Sequence, residues 1–226
     1  MGNIDLSNIN IANIQKISNM TISEILAQMK ALGIGISGDN YTIRDYSDII
    51  TGDIVVGNNV SMGGYDWTVA SIQPANRVFY LISKNIIETC QYSPYATSTY
   101  AKSNLVNVAK TFGESLPSNV KDNLLVQTAG GVSQKCHAPT HDQITTWFPG
   151  ESARIASYND NAASYWLTDN GNTTNAMDFQ VTTEYAFIVN ESGQCGIIST
   201  VGLTLNIAQE RVNTTQGFRA VVALMM

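Results

Sequence analysis

The sequence predicts a mixed α+β fold: a domain of short antiparallel strands with two or three helices, preceded by an N-terminal arm and a helix. Three observations carry this. From Tyr41 onward, short apolar or alternating runs are punctuated by Gly, Asn, Asp and Pro at the spacing of strands and turns. Capping signatures at Thr21 and Thr140 each precede apolar residues at helical spacing. The turn-rich stretch Gly33–Asn40 separates residues 1–40 from residues 41–226, giving an attachment arm with a helix and then the main domain.

In residues 1–20, Ile4, Leu6, Ile9, Ile11, Ile14 and Ile17 are scattered among Asn and Ser. So many β-branched and Asn residues weaken a helix, and so much exposed isoleucine suits contact with another chain. Ile4, Ile9, Ile11, Ile14 and Ile17 are therefore the candidate oligomerisation and attachment residues. Thr21-Ile22-Ser23-Glu24 has the form of a capping box and opens a helix over 22–32, with Gly33 as its stop.

After Tyr41, strands are expected at Tyr41–Ile43 and Ile54–Val56, then along Gly64–Ile72 and, after a turn at Pro74, along Asn76–Ile82, as an antiparallel meander. Residues 103–112 form a helix with Leu105, Val108, Ala109 and Phe112 on one face, and Pro117 opens a shorter one. Thr140 caps a further helix, with Gln143 three residues on and Ile144, Trp147 and Phe148 facing inward. Strands return at Tyr165–Thr168, Ala176–Val181, Ala186–Val189, Gly196–Ile198 and Gly217–Leu224.

Composition narrows the function. Hydrophobic residues make up 44% of the 226 residues, enough for a packed core, while charged residues make up only 13%. A net charge of -6 without a Lys/Arg cluster argues against a nucleic-acid partner. No apolar run has the length of a membrane span, and the N-terminus lacks the pattern of a signal peptide, so folding in a cytoplasm is expected. Cys90, Cys136 and Cys195 are widely spaced and odd in number, which reads as buried free thiols.

Cys136-His137-Ala138-Pro139-Thr140-His141-Asp142 gathers both histidines with a thiol and a carboxylate. A proline between the histidines keeps them off one helical face, so no metal site is expected, and Asp142 suits the start of a helix. Neither a glycine-flanked nucleophile nor a phosphate loop occurs, so the sequence points to a protein that is not an enzyme and uses no cofactor.

The stretch from Tyr165 to Thr168 is aromatic and apolar between runs rich in Asn, Asp, Ser, Thr and Gly. It reads as a buried strand whose ends open into surface loops. Those flanks supply the candidate contact residues: Tyr158, Asn159, Asn161, Thr168, Asp169, Asn170 and Asn172. Short amide and hydroxyl side chains make adaptable contacts with little rotamer entropy to lose.

Four landmarks, in order from about Tyr41, resemble the C-type-lectin-like superfamily of bacterial and phage proteins. They are Thr51-Gly52-Asp53 with Asp66-Trp67-Thr68-Val69, then Ala138-Pro139-Thr140-His141-Asp142-Gln143, then Tyr165-Trp166-Leu167-Thr168, and last Gly217-Phe218-Arg219-Ala220-Val221-Val222. The sequence departs from two branches of that group. Formylglycine-generating enzymes have a reactive cysteine pair where Cys195 stands alone, and the Glu-Pro-Asn or Gln-Pro-Asp calcium motif of animal lectins is missing. The resemblance therefore implies a phage adhesin of the major-tropism-determinant type. Such a protein is made in the host cytoplasm and carried on the virion surface. It is expected as a homotrimer, joined to other virion proteins through its arm and binding a host glycan or protein receptor. A purely architectural decoration or cement protein is the alternative, and an enzyme of the formylglycine-generating type a third reading.

Overall fold

The computed structural model describes residues 43–94, 99–173, 182–200 and 203–226. The expected arm with Ile4, Ile9, Ile11, Ile14 and Ile17, the helix over 22–32 and the strand Ala176–Val181 lie outside them. The chain divides between Thr42 and Ile43, so everything described below belongs to the second unit.

That unit is mixed α+β, mostly antiparallel strands with few helices. The first sheet begins as a meander: β1 (Ile50–Thr51), β2 (Asn59–Met62), β3 (Tyr65–Gln73) and β4 (Val78–Ser83) pair in sequence order. The alternation read along residues 64–72 is interrupted by a register shift between Val69 and Ser71, which buries Val69 and Ala70 side by side. Ile54–Val56 is not a strand: Val55 and Val56 are each 54% exposed, in the loop before β2. The sheet is completed from far along the chain, since β16 (Val221–Met225) inserts between β4 and β8 (Cys136–His137).

The second sheet has the order β13 (Gly196–Thr200), β14 (Leu203–Arg211), β12 (Thr182–Val189), β11 (Tyr165–Thr173), β15 (Thr215–Phe218) and β5 (Glu88–Gln91). Every pair in it is antiparallel except β11 with β15, where Tyr165 meets Gly217 in parallel. Two hairpins stand apart, β6 (Gln127–Ala129) with β7 (Val132–Gln134) and β9 (Ala156–Tyr158) with β10 (Asn161–Ala163).

One expected strand, Gly217–Leu224, is two. The chain leaves the second sheet after Phe218 and joins the first at Val221, so Arg219 and Ala220 link the sheets. Gly217 is needed at the crossing, because a Cβ there would overlap the Ile86 side chain.

Helix α1 (Asn104–Ser115) has Ser103 as its cap, whose hydroxyl accepts from the Val106 amide at 3.1 Å. Leu105, Ala109 and Phe112 bury its inner face in the larger core. That core also takes Trp67, Phe79, Trp166 and Phe218 from both sheets, and Tyr92 just after β5. Helix α2 (Ser118–Lys121) follows Pro117. In helix α3 (His141–Trp147) both reciprocal bonds of the capping box form, Gln143 N to Thr140 Oγ1 at 3.1 Å and Thr140 N to Gln143 Oε1 at 3.0 Å. Ile144 is fully buried in a smaller core with Tyr165, Leu167, Val189 and Val221, and Trp147 and Phe148 pack at its margin. Helix α4 (Glu151–Arg154) is a single turn leading into β9.

Candidate functional site

Strand β11 is the rigid base expected at Tyr165–Thr168. Tyr165, Trp166 and Leu167 are completely buried. Successive side chains enter opposite faces of the sheet, so Trp166 joins the larger core while Tyr165 and Leu167 join the smaller. Each aromatic tip is satisfied: the Trp166 indole donates to the Cys90 carbonyl at 2.8 Å, and the Tyr165 hydroxyl donates to the Arg154 carbonyl at 2.9 Å.

The flanks are more structured than loops. Upstream, Tyr158 and Asn161 are paired residues of the β9–β10 hairpin, leaving Asn159 and Asp160 as a two-residue turn. Both have positive φ, 50° and 65°, the combination a type I′ turn demands. Asn and Asp tolerate that backbone, so these residue types have a conformational reason to be there. Asn159, Asp160 and Asn161 are exposed, and the Asn161 amide donates to the Asn159 carbonyl at 2.9 Å. Tyr158 is half-buried against the smaller core.

Downstream, the expected loop is strand. Asn170 pairs with Ala186 and Thr173 with Thr182, with register shifts between Trp166 and Asn170 and again after Gly171. Pairing with β12 thus outweighs the poor strand propensity of Asn and Gly, and the irregularities absorb the mismatch. Asn170 and Asn172 are placed by their backbone within β11.

Two of the seven candidates are taken up by the fold. Thr168 is 3% exposed, so it is no contact residue. Its carbonyl accepts from the Tyr92 hydroxyl at 2.9 Å and its amide donates to the Pro139 carbonyl at 3.0 Å, which draws it inside. One Asp169 carboxylate oxygen accepts from the His141 amide at 2.6 Å and from the Thr168 hydroxyl at 3.3 Å. A charge at the first turn of α3 stabilises its unpaired amides, and the contact pins α3 to β11. Of the candidates whose exposure is described, Asn159 and Asn161 at the hairpin tip are exposed, with Tyr158 half-buried beneath them.

Of the other chemistry-bearing groups, Cys90, Cys136 and His137 sit in the interior, while Cys195, expected as a buried thiol, is only half-buried. Burial pushes the Cys90 thiol up to about 12 and the Cys195 thiol up to about 11, and Cys136 higher still. All three are free cysteines held protonated near neutral pH, without the thiolate that nucleophilic chemistry needs. His137 is fully buried, and its ring is pushed down to about 4 by desolvation. Its Nδ1 lies 2.7 Å from the Ala138 carbonyl, while Nε2 has no partner among the described residues. His141 is on α3 near the surface, so the two histidines do not share a site. Among the described residues no group of His, Cys, Asp and Glu is placed to hold a metal ion.

Sequence reading named Arg219 only as part of the closing landmark and missed its burial: it is 3% exposed and forms no ion pair among the described residues. Its Nε and Nη2 donate to the Ser83 carbonyl at 2.8 and 2.6 Å, its Nη1 donates to the Tyr165 hydroxyl at 3.2 Å, and its Cζ lies 5.0 Å from that ring's centroid. Carbonyl and hydroxyl oxygens with a π face replace the water this cation loses. The signal was an arginine inside an otherwise apolar closing strand, a position a solvated charge avoids.

Comparison with known proteins finds no matching family model, no matching curated protein and no matching solved structure.

Proposed function

We propose that this chain is a phage virion surface protein, on a fibre, baseplate or capsid, whose C-type-lectin-like domain recognises a host receptor without performing catalysis. The observation that carries the reading is the way the last three of the four sequence landmarks meet. Gly217 pairs with Tyr165, Arg219 donates to the Tyr165 hydroxyl, Thr168 donates to Pro139, and Asp169 holds the first residue of α3. Segments separated by up to about 80 residues thereby form one support, from which the polar hairpin tip projects. Cys90, Cys136 and His137 are buried, and the hairpin tip exposes the Asn159 and Asn161 amides with the Asp160 carboxylate, polar groups suited to binding. In this reading the domain acts as a homotrimer, attached to the virion by residues 1–40.

One observation favours the architectural alternative. Thr168, Asp169 and Tyr158 are engaged in packing and capping, so the adhesive face is smaller than the sequence suggested. Fab fragments against the chain separate the two readings. In the adhesin reading they decorate intact particles and block adsorption. In the cement reading they decorate particles that adsorb normally, while particles lacking the chain lose integrity. Particles that bind no Fab contradict both.

A further inference from the structure

Although the chain is acidic overall, its positive charge is unevenly placed. Four of the five lysines among the described residues, Lys102, Lys110, Lys121 and Lys135, fall between Thr99 and Ala138, against only Glu114 and Asp122. The same segment builds a groove of ≈ 450 Å³ between helix α1 and the β6–β7 hairpin. Its walls are Val106, Asn107 and Lys110 from the helix, and Val132, Gln134 and Lys135 from the hairpin side.

The charges at this groove are not mutually cancelled. Glu114 also lines it, but its carboxylate lies 3.9 Å from the Lys121 ammonium, which itself donates to the Glu114 carbonyl at 2.8 Å. Lys135 donates to the Lys121 carbonyl at 2.7 Å, a neutral partner that leaves its charge uncompensated. Lys110 is exposed and has no acceptor among the described residues. Two lysines without a carboxylate partner among the described residues therefore line a cleft whose valines offer apolar contact. The Asn107 and Gln134 amide nitrogens already donate to the Ser103 carbonyl at 3.4 Å and the Tyr100 hydroxyl at 2.7 Å, which leaves their amide oxygens as acceptors.

We infer that this groove is a second binding site, taking an acidic saccharide. The carboxylate would sit between Lys110 and Lys135, the ring's C–H face against Val106 and Val132, and the hydroxyls on Asn107 and Gln134. A cavity of this size accommodates one or two sugar units. None of the hairpin-tip residues lines it, so the inference stands whether or not that tip contacts a receptor.

The test is titration of the full chain with digalacturonate, followed by amide chemical shifts and by calorimetry, with neutral galactobiose and inorganic phosphate as comparison probes. Digalacturonate is expected to shift Lys110, Val132 and Gln134, to bind at least about tenfold more tightly than galactobiose, and to weaken as salt rises. Lys110→Ala should reduce affinity by about tenfold or more with an unchanged melting temperature, while Lys84→Ala, outside the groove, should leave affinity unchanged. Phosphate binding as tightly as digalacturonate would replace the saccharide by a simple anion and overturn the assignment. Galactobiose binding equally well, Lys110→Ala binding normally, or no shift at millimolar digalacturonate would each overturn it too.

Discussion

Replacing Trp166 by alanine tests the support beneath the hairpin. The indole is completely buried, sits edge-on to Tyr92 with ring centroids 5.5 Å apart, and donates to the Cys90 carbonyl at 2.8 Å. Removing a buried aromatic side chain costs about 3–5 kcal/mol in transfer and cavity terms. A carbonyl left unsatisfied adds about 1–3 kcal/mol, part of which water entering the cavity recovers. The expected loss is therefore roughly 4–6 kcal/mol, a large part of the about 5–15 kcal/mol by which an ordinary domain is stable. At about 2–4 °C per kcal/mol for a domain of this size, the melting temperature should fall by at least about 8 °C. Trp166→Phe keeps most of the volume and loses the hydrogen bond, so it should cost only about 1–3 kcal/mol. Urea unfolding followed by far-ultraviolet circular dichroism reads both. An alanine variant melting within a few degrees of the parent would refute the reasoning, because it would mean that Trp166 is not core.

Other consequences are as direct. A Cβ at Gly193 would run into the Glu151 backbone and φ there is +80°, so Gly193→Ala should destabilise by about 2 kcal/mol or more in the same assay. His137 is held neutral in the fold with its pKa lowered to about 4 by burial, whereas in the unfolded chain it titrates near the ordinary imidazole value of 6.5. The folded pKa is depressed, so its contribution is complete above pH 6.5 and is lost as the pH falls toward 4, amounting to roughly 3 kcal/mol at most. His137→Phe should flatten that part of the stability–pH curve, and an unchanged slope would show that other groups cause it. At the β9–β10 turn, Asp160→Gly should be tolerated within about 1 kcal/mol, while Asp160→Val should cost about 1–2 kcal/mol for its left-handed backbone. Equal melting temperatures for the two would argue against the I′ turn.

What was legible in the sequence was mostly local. The Thr140 capping box and the apolar face from Leu105 to Phe112 depend on residues within a few positions of one another, and both stand in the structure. Partners distant in sequence were harder to read. Nothing within Gly217–Leu224 announces that the chain changes sheets at Arg219, because both halves are apolar and only their neighbours differ. The run Asn170–Thr173 reads as loop by propensity and becomes strand because β12 supplies its ladder bonds. Strand β14 could have been found, since Leu203, Leu205 and Ile207 alternate with Thr204 and Asn206. For the candidate site, the aromatic base was legible from its apolar run, but the burial of Thr168 and the capping role of Asp169 depend on Tyr92, Pro139 and His141. The lysines around the groove are concentrated in one stretch, a local pattern hidden by the acidic average of the whole chain.

Competition for adsorption tests the adhesin reading most directly. Purified full-length chain is added to host cells before the particles, and unadsorbed particles are counted over time. The account predicts a dose-dependent fall in adsorption by the parent protein. It predicts a weaker effect from the double variant Asn159→Gly with Asn161→Ala, which keeps the turn's backbone and removes its side-chain contacts. Adsorption unaffected by the parent protein at any concentration, with the protein folded and oligomeric, would contradict the account.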